Sequence, residues 1–268
     1  MGVSRSSYYD WLKKRPLKNK IDRFQKEVIK EFSESKQTYG SPRICSALNE
    51  RGIALSKSTV ARIMKQTGLQ ARPRRRFVHT TDSKHNYKVF ENLLSRNFES
   101  KRINEKWVSD ITYIPTRKGW TYLTVIIDLA DKMVVGWSLS DQMTAKSTTI
   151  ASLKIALKRR KIRESLIFHS DRGVQYCSID FRRIISKSKH IQQSMSRKGN
   201  CWDNAPAESF FKTLKVEWTN KYVYKDIDEA RKSIFDYIER WYNTKRKHSA
   251  IGYMSPLEKY YFLTQTAA

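Results

Sequence analysis

The 268-residue sequence is short of three things. Its three cysteines, Cys45, Cys177 and Cys201, lie far apart with no paired spacing, and its five histidines form no Cys/His cluster. A disulfide framework and a zinc site are both excluded, which suits a reducing compartment. No run approaches the roughly 18 apolar residues of a membrane span, and the N-terminus lacks the apolar core of a secretory signal. Acidic residues are also scarce, 26 against 53 Lys and Arg, leaving a formal charge of +27. Residues 1–103 carry +15 of that and residues 104–268 carry +12, so both halves are expected to touch a polyanion. Composition alone is equally compatible with a ribosomal-type protein or a charge-rich soluble fold.

What is present divides the chain in two. The first hundred residues read as short amphipathic helices. Ile21, Phe24, Val28, Ile29 and Phe32 recur at helical spacing; Ser41 and Pro42 read as the cap and first-turn proline of a second helix ending near Gly52. Ser56 caps a third, with Val60, Ile63 and Met64 on one face. Three helices with turns between them predict a helix-turn-helix-like module over 1–70, with a plain helical bundle as the alternative. The run Arg72, Pro73, Arg74, Arg75, Arg76 opens a basic linker over 71–103, and these four arginines are candidate phosphate contacts.

From Glu105 the pattern turns to strands. Lys106–Pro115, Trp120–Asp128 and Lys132–Leu139 predict an antiparallel meander. A helix over Ala145–Lys161, a strand over Ser165–His169, a helix over Ile179–Lys187, a strand over Ile191–Ser194 and a helix after Asn204 follow. Strands alternating with helices imply parallel additions to the sheet. The order is that of an RNase H-like fold, α/β with a mixed five-stranded sheet flanked by helices, expected over 104–222. Residues 223–268 are expected to add a helix over Asp226–Tyr242 and a tail packing back through Ile251, Tyr253, Leu257 and Tyr260.

Few acids in so basic a chain stand where metal ligands could converge. Asp110 is mid-strand in WVSDI, where an unpaired carboxylate is costly to bury. Asp171 follows the strand LIF in HSDRG, at the carboxyl end of an added parallel strand, where α/β sheets place ligands. Glu208 lies one turn into the helix that begins near Pro206. Each has an ordinary explanation, as strand residue, turn former or helix N-terminal charge. Hard divalent cations want carboxylate oxygens, and a pair of them can serve phosphodiester chemistry.

The blocks WVSDITYIPT, FHSDRGVQYCS and SMSRKGNCWDNAPAESFFKTLK resemble the signature blocks of insertion-sequence transposases. The similarity is to the second-frame, or OrfB, product of the frameshifting type, which is related to retroviral integrases. TYGSPRICSALNERG, STVARIMKQTGL and YNTKRKHSAIGYMSP extend it over nearly the whole chain. The resemblance implies that Asp110, Asp171 and Glu208 are the three catalytic, metal-binding acids of a DDE-type transposase. It also implies two Mg²⁺ or Mn²⁺ ions per site, DNA cleavage at element ends and strand transfer. The partners it implies are the terminal inverted repeats, target DNA, further copies of the chain on DNA, and an upstream-frame segment carrying another helix-turn-helix. A bacterial cytoplasmic, nucleoid-associated location follows. The chain places 36 residues between Asp171 and Glu208, one more than the family usually has, and the extra residue is expected in Ser186–His190. An RNase H-like or junction nuclease that only hydrolyses, and a non-catalytic DNA-binding regulator, are the alternatives.

Around the acids, Lys212 and Lys215 share the helix face of Glu208 and are candidates to grip a scissile strand; the alternative is a solvated face. Arg197, Lys198, Asn200 and Trp202, in the loop between strand and helix, are candidate DNA contacts. Trp202 could instead staple the helix, and Asn204, with Asp203 as the alternative, is expected to cap it. His169 reads as a structural neighbour of Asp171, and Asp128 and Asp131 as turn residues.

Overall fold

The computed structural model describes residues 4–71, 87 and 89–265, with the side chains of 12–23 excepted. The chain forms two compact units, Met1–Pro73 and Arg74–Ala268. The arginines of the basic run, Arg72, Arg74, Arg75 and Arg76, lie outside the described residues.

In the first unit, α1 (Arg5–Glu34), α2 (Ser41–Glu50) and α3 (Lys57–Gln66) pack together. Val28 and Phe32 of α1, Ile44 and Leu48 of α2, and Val60 and Ile63 of α3 are buried. The first helix begins at Arg5, well before the expected Ile21, and its early aromatics Tyr8, Tyr9 and Trp11 are exposed; Ile29, expected inside, is exposed as well. The cap of α2 is Gly40, one residue before the predicted Ser41, with Pro42 in the first turn. Ser56 caps α3 as predicted, accepting from the Thr59 amide at 3.1 Å.

The second unit is built on a five-stranded sheet: β1 (Lys106–Thr116), β2 (Gly119–Asp128), β3 (Val134–Ser140), β4 (Leu166–Ser170) and β5 (Ile191–Met195). The spatial order is β3-β2-β1-β4-β5. β1 pairs antiparallel with β2 and parallel with β4, and β4 pairs parallel with β5. This is the mixed sheet the sequence predicts, with strand boundaries shifted by at most two residues. Alternation along β1 sorts its side chains: Val108 and Ile114 enter one core, Trp107 the other. On the first face pack α7 (Ala205–Glu217), through Phe210, Phe211 and Leu214, and α8 (Ile227–Phe235), through Ala230 and Ile234. The opposite face is covered by α4 (Thr149–Arg159), by α5 (Val174–Cys177), a short helix with no sequence signal, and by α6 (Ile179–Ser186). The helix predicted over Ala145–Lys161 is shorter by four residues at its start and two at its end.

Gly136 of β3 lets α4 approach closely: a Cβ there would stand 2.4 Å from the Ser152 carbonyl and 2.9 Å from the Ala156 amide nitrogen. Beyond α8 the chain continues as a π-helix over Asp236–Tyr242. The wider i to i+5 turn, seen in the 2.9 Å bond from the Asn243 amide to the Ile238 carbonyl, rotates the predicted stripe. Tyr242 is therefore buried and Trp241 only partly so. The tail ends in α9 (Pro256–Gln265); Ile251 is buried, whereas Tyr253, Leu257 and Tyr260 are half-buried.

Candidate active site

The parallel ladder between β1 and β4 pairs Ser109 with Ser170 and ends there. One residue further on each strand come Asp110 and Asp171, so the backbone register alone brings two carboxylates side by side at the carboxyl end of β4. Asp110 shares the parity of Val108 and is on the α7 face; Glu208 lies in the first turn of that helix. The helix is fastened directly to the strand: Nδ2 of Asn204 donates to the Ser109 carbonyl at 3.0 Å. Asn204 does stand at the predicted cap position, but its side chain makes no cap bond, because its amide is turned onto β1 instead.

The electrostatics record this arrangement. Burial, then the neighbouring charge of Asp171 and that of Glu208, raise the Asp110 carboxyl well above the ordinary range, against a 2.8 Å bond from the Ile111 amide. Lys215 is lowered to about 8 by burial, opposed by the pull of Asp110, which puts its ammonium on the acid side of α7. Lys212 is half-buried on the same helix. Asp171 accepts from the Gly173 amide at 2.9 Å; a Cβ on Gly173 would come within 3.0 Å of that oxygen. Among the described residues no three His, Cys, Asp or Glu side chains stand together closely enough to hold an ion as they are.

Two further residues belong to this site. Tyr176, fully buried on α5, has its hydroxyl 2.7 Å from Ser109 Oγ, and Ser109 Oγ donates to the Val125 carbonyl at 2.8 Å. With the serine proton so engaged, the tyrosine is the donor of the pair. Its hydroxyl is raised far above its ordinary value by burial and by the charges of Asp110 and Asp171. Asp203, fully buried, is the hub of the loop before α7. It accepts from Asn92 Nδ2, Arg96 Nε and the Arg197 guanidinium at 2.9 Å, and from the Arg197 amide at 3.0 Å. Its carboxyl is held far below the usual range, first by the Arg197 bonds. Tyr176 had no sequence signal and Asp203 only that of a possible helix cap; otherwise the DRGVQYC and NCWDN blocks contain them only as part of the resemblance.

The expected DNA contacts are distributed accordingly. Arg197 grips Asp203 in a two-pronged pair, and Asn200 Oδ1 accepts from Arg96 at 2.9 Å. Lys198 is exposed, and Trp202 is 69% exposed, so it forms no hydrophobic staple. His169 is buried between Ser194 Oγ at 2.8 Å and Ser196 Oγ at 3.2 Å, and burial lowers it to about 4, a neutral ring. Asp128 and Asp131 do close the turn after β2, accepting from the amides of Ala130 and Met133; both are also buried near Arg160. Cys45 and Cys177 are buried, and no helix among the described residues is long and apolar enough to cross a membrane.

A sheet of this order, with one acid midway along its first strand, one just past the end of its fourth and one on the covering helix, defines an integrase-type core. Residues 100–201 and 189–256 match family models described as integrase core domain, and residues 20–77 match an HTH-like domain. The chain is 41% identical over 265 residues to the insertion element IS600 uncharacterized 31 kDa protein of Shigella sonnei, covering 97% of each. It is likewise 41% identical over 258 residues to transposase InsF for insertion sequence IS3A of Escherichia coli K12, covering 95% of this chain and 89% of the other. Among solved structures, the trimeric HTLV-2 integrase catalytic core domain in complex with magnesium aligns over 60% of this chain and 98% of its own. Its identity is 19% and its TM-score 0.45. The chain belongs to the insertion-sequence transposase family of the IS3 type.

Proposed function

We propose that Asp110, Asp171 and Glu208 are the site at which this transposase cuts DNA at the ends of its element and joins the freed ends to target DNA. The observation that supports this most directly is the placement of Asp110: a buried mid-strand carboxyl, flanked by Asp171 through strand register and by Glu208 through the covering helix. The donor set is oxygen only, the chemistry of a hard divalent cation such as Mg²⁺ or Mn²⁺. These three side chains would hold such ions, two per site. Bound there, the ions would supply charge neutralisation at phosphorus and acidify the attacking oxygen.

The chain's own contribution is placement. β1 and β4 fix Asp110 and Asp171 on adjacent backbones, and the Asn204 clamp holds the start of α7, and with it Glu208, against β1. Lys215, and with it Lys212, faces the phosphate of the strand entering the acids. The exposed Lys198 and Trp202 meet the backbone or bases beside it, while Arg197 and Asn200 shape that loop. The HTH-like module reads the terminal repeats, with Arg72, Arg74, Arg75 and Arg76 following the phosphates. Two ends joined in one event call for more than one copy of the chain, with the upstream-frame product as a further partner.

The test is a duplex carrying the terminal repeat of the element that encodes the chain, incubated with Mg²⁺ and plasmid target. Wild type is expected to give both nicked ends and joined products; Asp110→Asn, Asp171→Asn and Glu208→Gln are each expected to give neither while remaining folded. Nicking without joining would leave a nuclease, and turnover by any one variant would remove that residue from the site.

A further inference from the structure

The sheet has a second charged end. At the amino ends of β1 and β4, opposite the acids, a cleft of about 750 Å³ opens between the turn before β1, the end of α4, the turn before β4 and α9. Tyr260 and Leu263 form its apolar wall, and Arg160 lies over the Tyr260 ring at 4.2 Å. Some of its charge is already balanced. Arg160 pairs with Asp131 at 2.6 Å, Arg159 with Glu239 at 2.7 Å, and Arg102 with Glu164. Glu105 is occupied by the Ser100 hydroxyl and the amides of Lys101 and Arg102.

Four exposed cations remain, Lys101, Lys158, Lys161 and Arg163, and among the described residues none has an ion-pair partner. A helix C-terminus favours cations, which accounts for Lys158 but not for Lys101 or Arg163, which come from separate turns. Four like charges gathered on one cleft repel one another until an anion enters. Four residues of β1 and five of β4 separate this cleft from Asp110 and Asp171, roughly 13 to 17 Å at about 3.3 Å per residue. A phosphate held here is therefore not the one being cut.

We propose that this cleft binds the phosphate backbone of a DNA duplex along a stretch distinct from the strand at the acids. The proposal rests on DNA being the partner, as in the function proposed above. Four neutralised phosphates, each contributing roughly −0.9 to the slope of log affinity against log salt, amount to a slope of about 3 to 4 from this cleft alone.

The experiment measures anisotropy of a labelled 30-base-pair random duplex with the full chain, in EDTA, across a salt series. Wild type is compared with the fourfold variant Lys101→Gln, Lys158→Gln, Lys161→Gln, Arg163→Gln. A scattered control replaces Lys154, Lys187, Lys189 and Lys232, all exposed, by Gln. The cleft variant is expected to lose about 3 to 4 from the slope and the control less than 1, and replacing the three cleft lysines by Arg is expected to keep the wild-type slope. Should the fourfold variant fail to fold, Lys161→Gln with Arg163→Gln is expected to lose about half as much. Equal losses in cleft variant and control, or an unchanged slope, would overturn the cleft and leave the acid site standing. A wild type that binds no duplex would bring down both readings.

Discussion

Removing the amide of Asn204 is the sharpest way to ask whether α7 is positioned by its clamp on β1. The side chain is buried, its Nδ2 donates to the Ser109 carbonyl at 3.0 Å, and Asp110 is the next residue along the strand. In Asn204→Ala the bond is lost and a buried carbonyl is left without that donor, which costs about 1 to 3 kcal/mol. For a unit of this size that lowers Tm by roughly 2 to 12 °C. Asn204→Asp goes further, setting an acceptor against the carbonyl and a fourth carboxylate beside the acids. The helix start, freed from β1, takes Glu208 with it. A misplacement of about 1 Å at a reacting centre costs on the order of 100-fold in rate. Both variants are therefore expected to cut the terminal-repeat duplex about 100-fold more slowly at 25 °C, well below their melting points. Half-maximal rate should also need more Mg²⁺, a change that loss of stability alone would not produce. A variant that melts earlier yet cuts within threefold of wild type at the same Mg²⁺ midpoint would refute the clamp as a positioning device.

Tyr176→Phe removes only the hydroxyl that donates to Ser109; the expected result is a loss of about 1 kcal/mol in denaturant unfolding and a raised Mg²⁺ midpoint, checked on the same duplex. Changing Lys212 and Lys215, both half-buried, together to Glu should abolish strand joining with a stability change somewhat above the roughly 0.5 kcal/mol per site of exposed positions, whereas the exposed Lys187 with Lys189 changed to Glu should leave joining near wild type. Gly136→Ala drives a Cβ into the α4 backbone, so thermal unfolding should show a loss of about 1 to 3 kcal/mol or more. Asp203 has a folded pKa below its ordinary 3.8, so the folded state binds fewer protons and its stabilisation is complete above that value and lost as pH falls below it; Asp203→Asn should flatten this acid limb of the unfolding curve.

Much of the architecture was legible because periodicity survives without tertiary context. The three β-rich runs, the Leu166–Ser170 strand and the helix bearing Glu208 all announce themselves by pattern, and their order fixes the sheet. The acids stood out because a mid-strand Asp110 and a strand-end Asp171 are costly without a purpose. The misses have a common cause. Whether Asn204 bonds to its own helix or to β1, and whether Arg197 reaches outward or grips Asp203, depends on which distant backbone lies within 3 Å. The short α5 has too few residues for a period, and the π-turn after α8 moves burial from Trp241 to Tyr242 without altering the letters that suggest an α-helix. Tyr176 was hidden for the same reason: its partner Ser109 is 67 positions away.

The pairing of Ser109 with Ser170 makes the sheet a ruler. Neighbouring strands run about 4.8 Å apart, so the gap between the backbones of Asp110 and Asp171 is a unit of strand pitch, independent of the sixty residues of chain that connect them. The stretch between the end of α6 and the start of β5, where Lys187 and Lys189 are exposed, lies beyond both of these acids, so a residue gained or lost there leaves the ruler its length. Distance along the chain and the spacing that the sheet sets between Asp110 and Asp171 are thus separate quantities, and only the second is fixed by strand pairing.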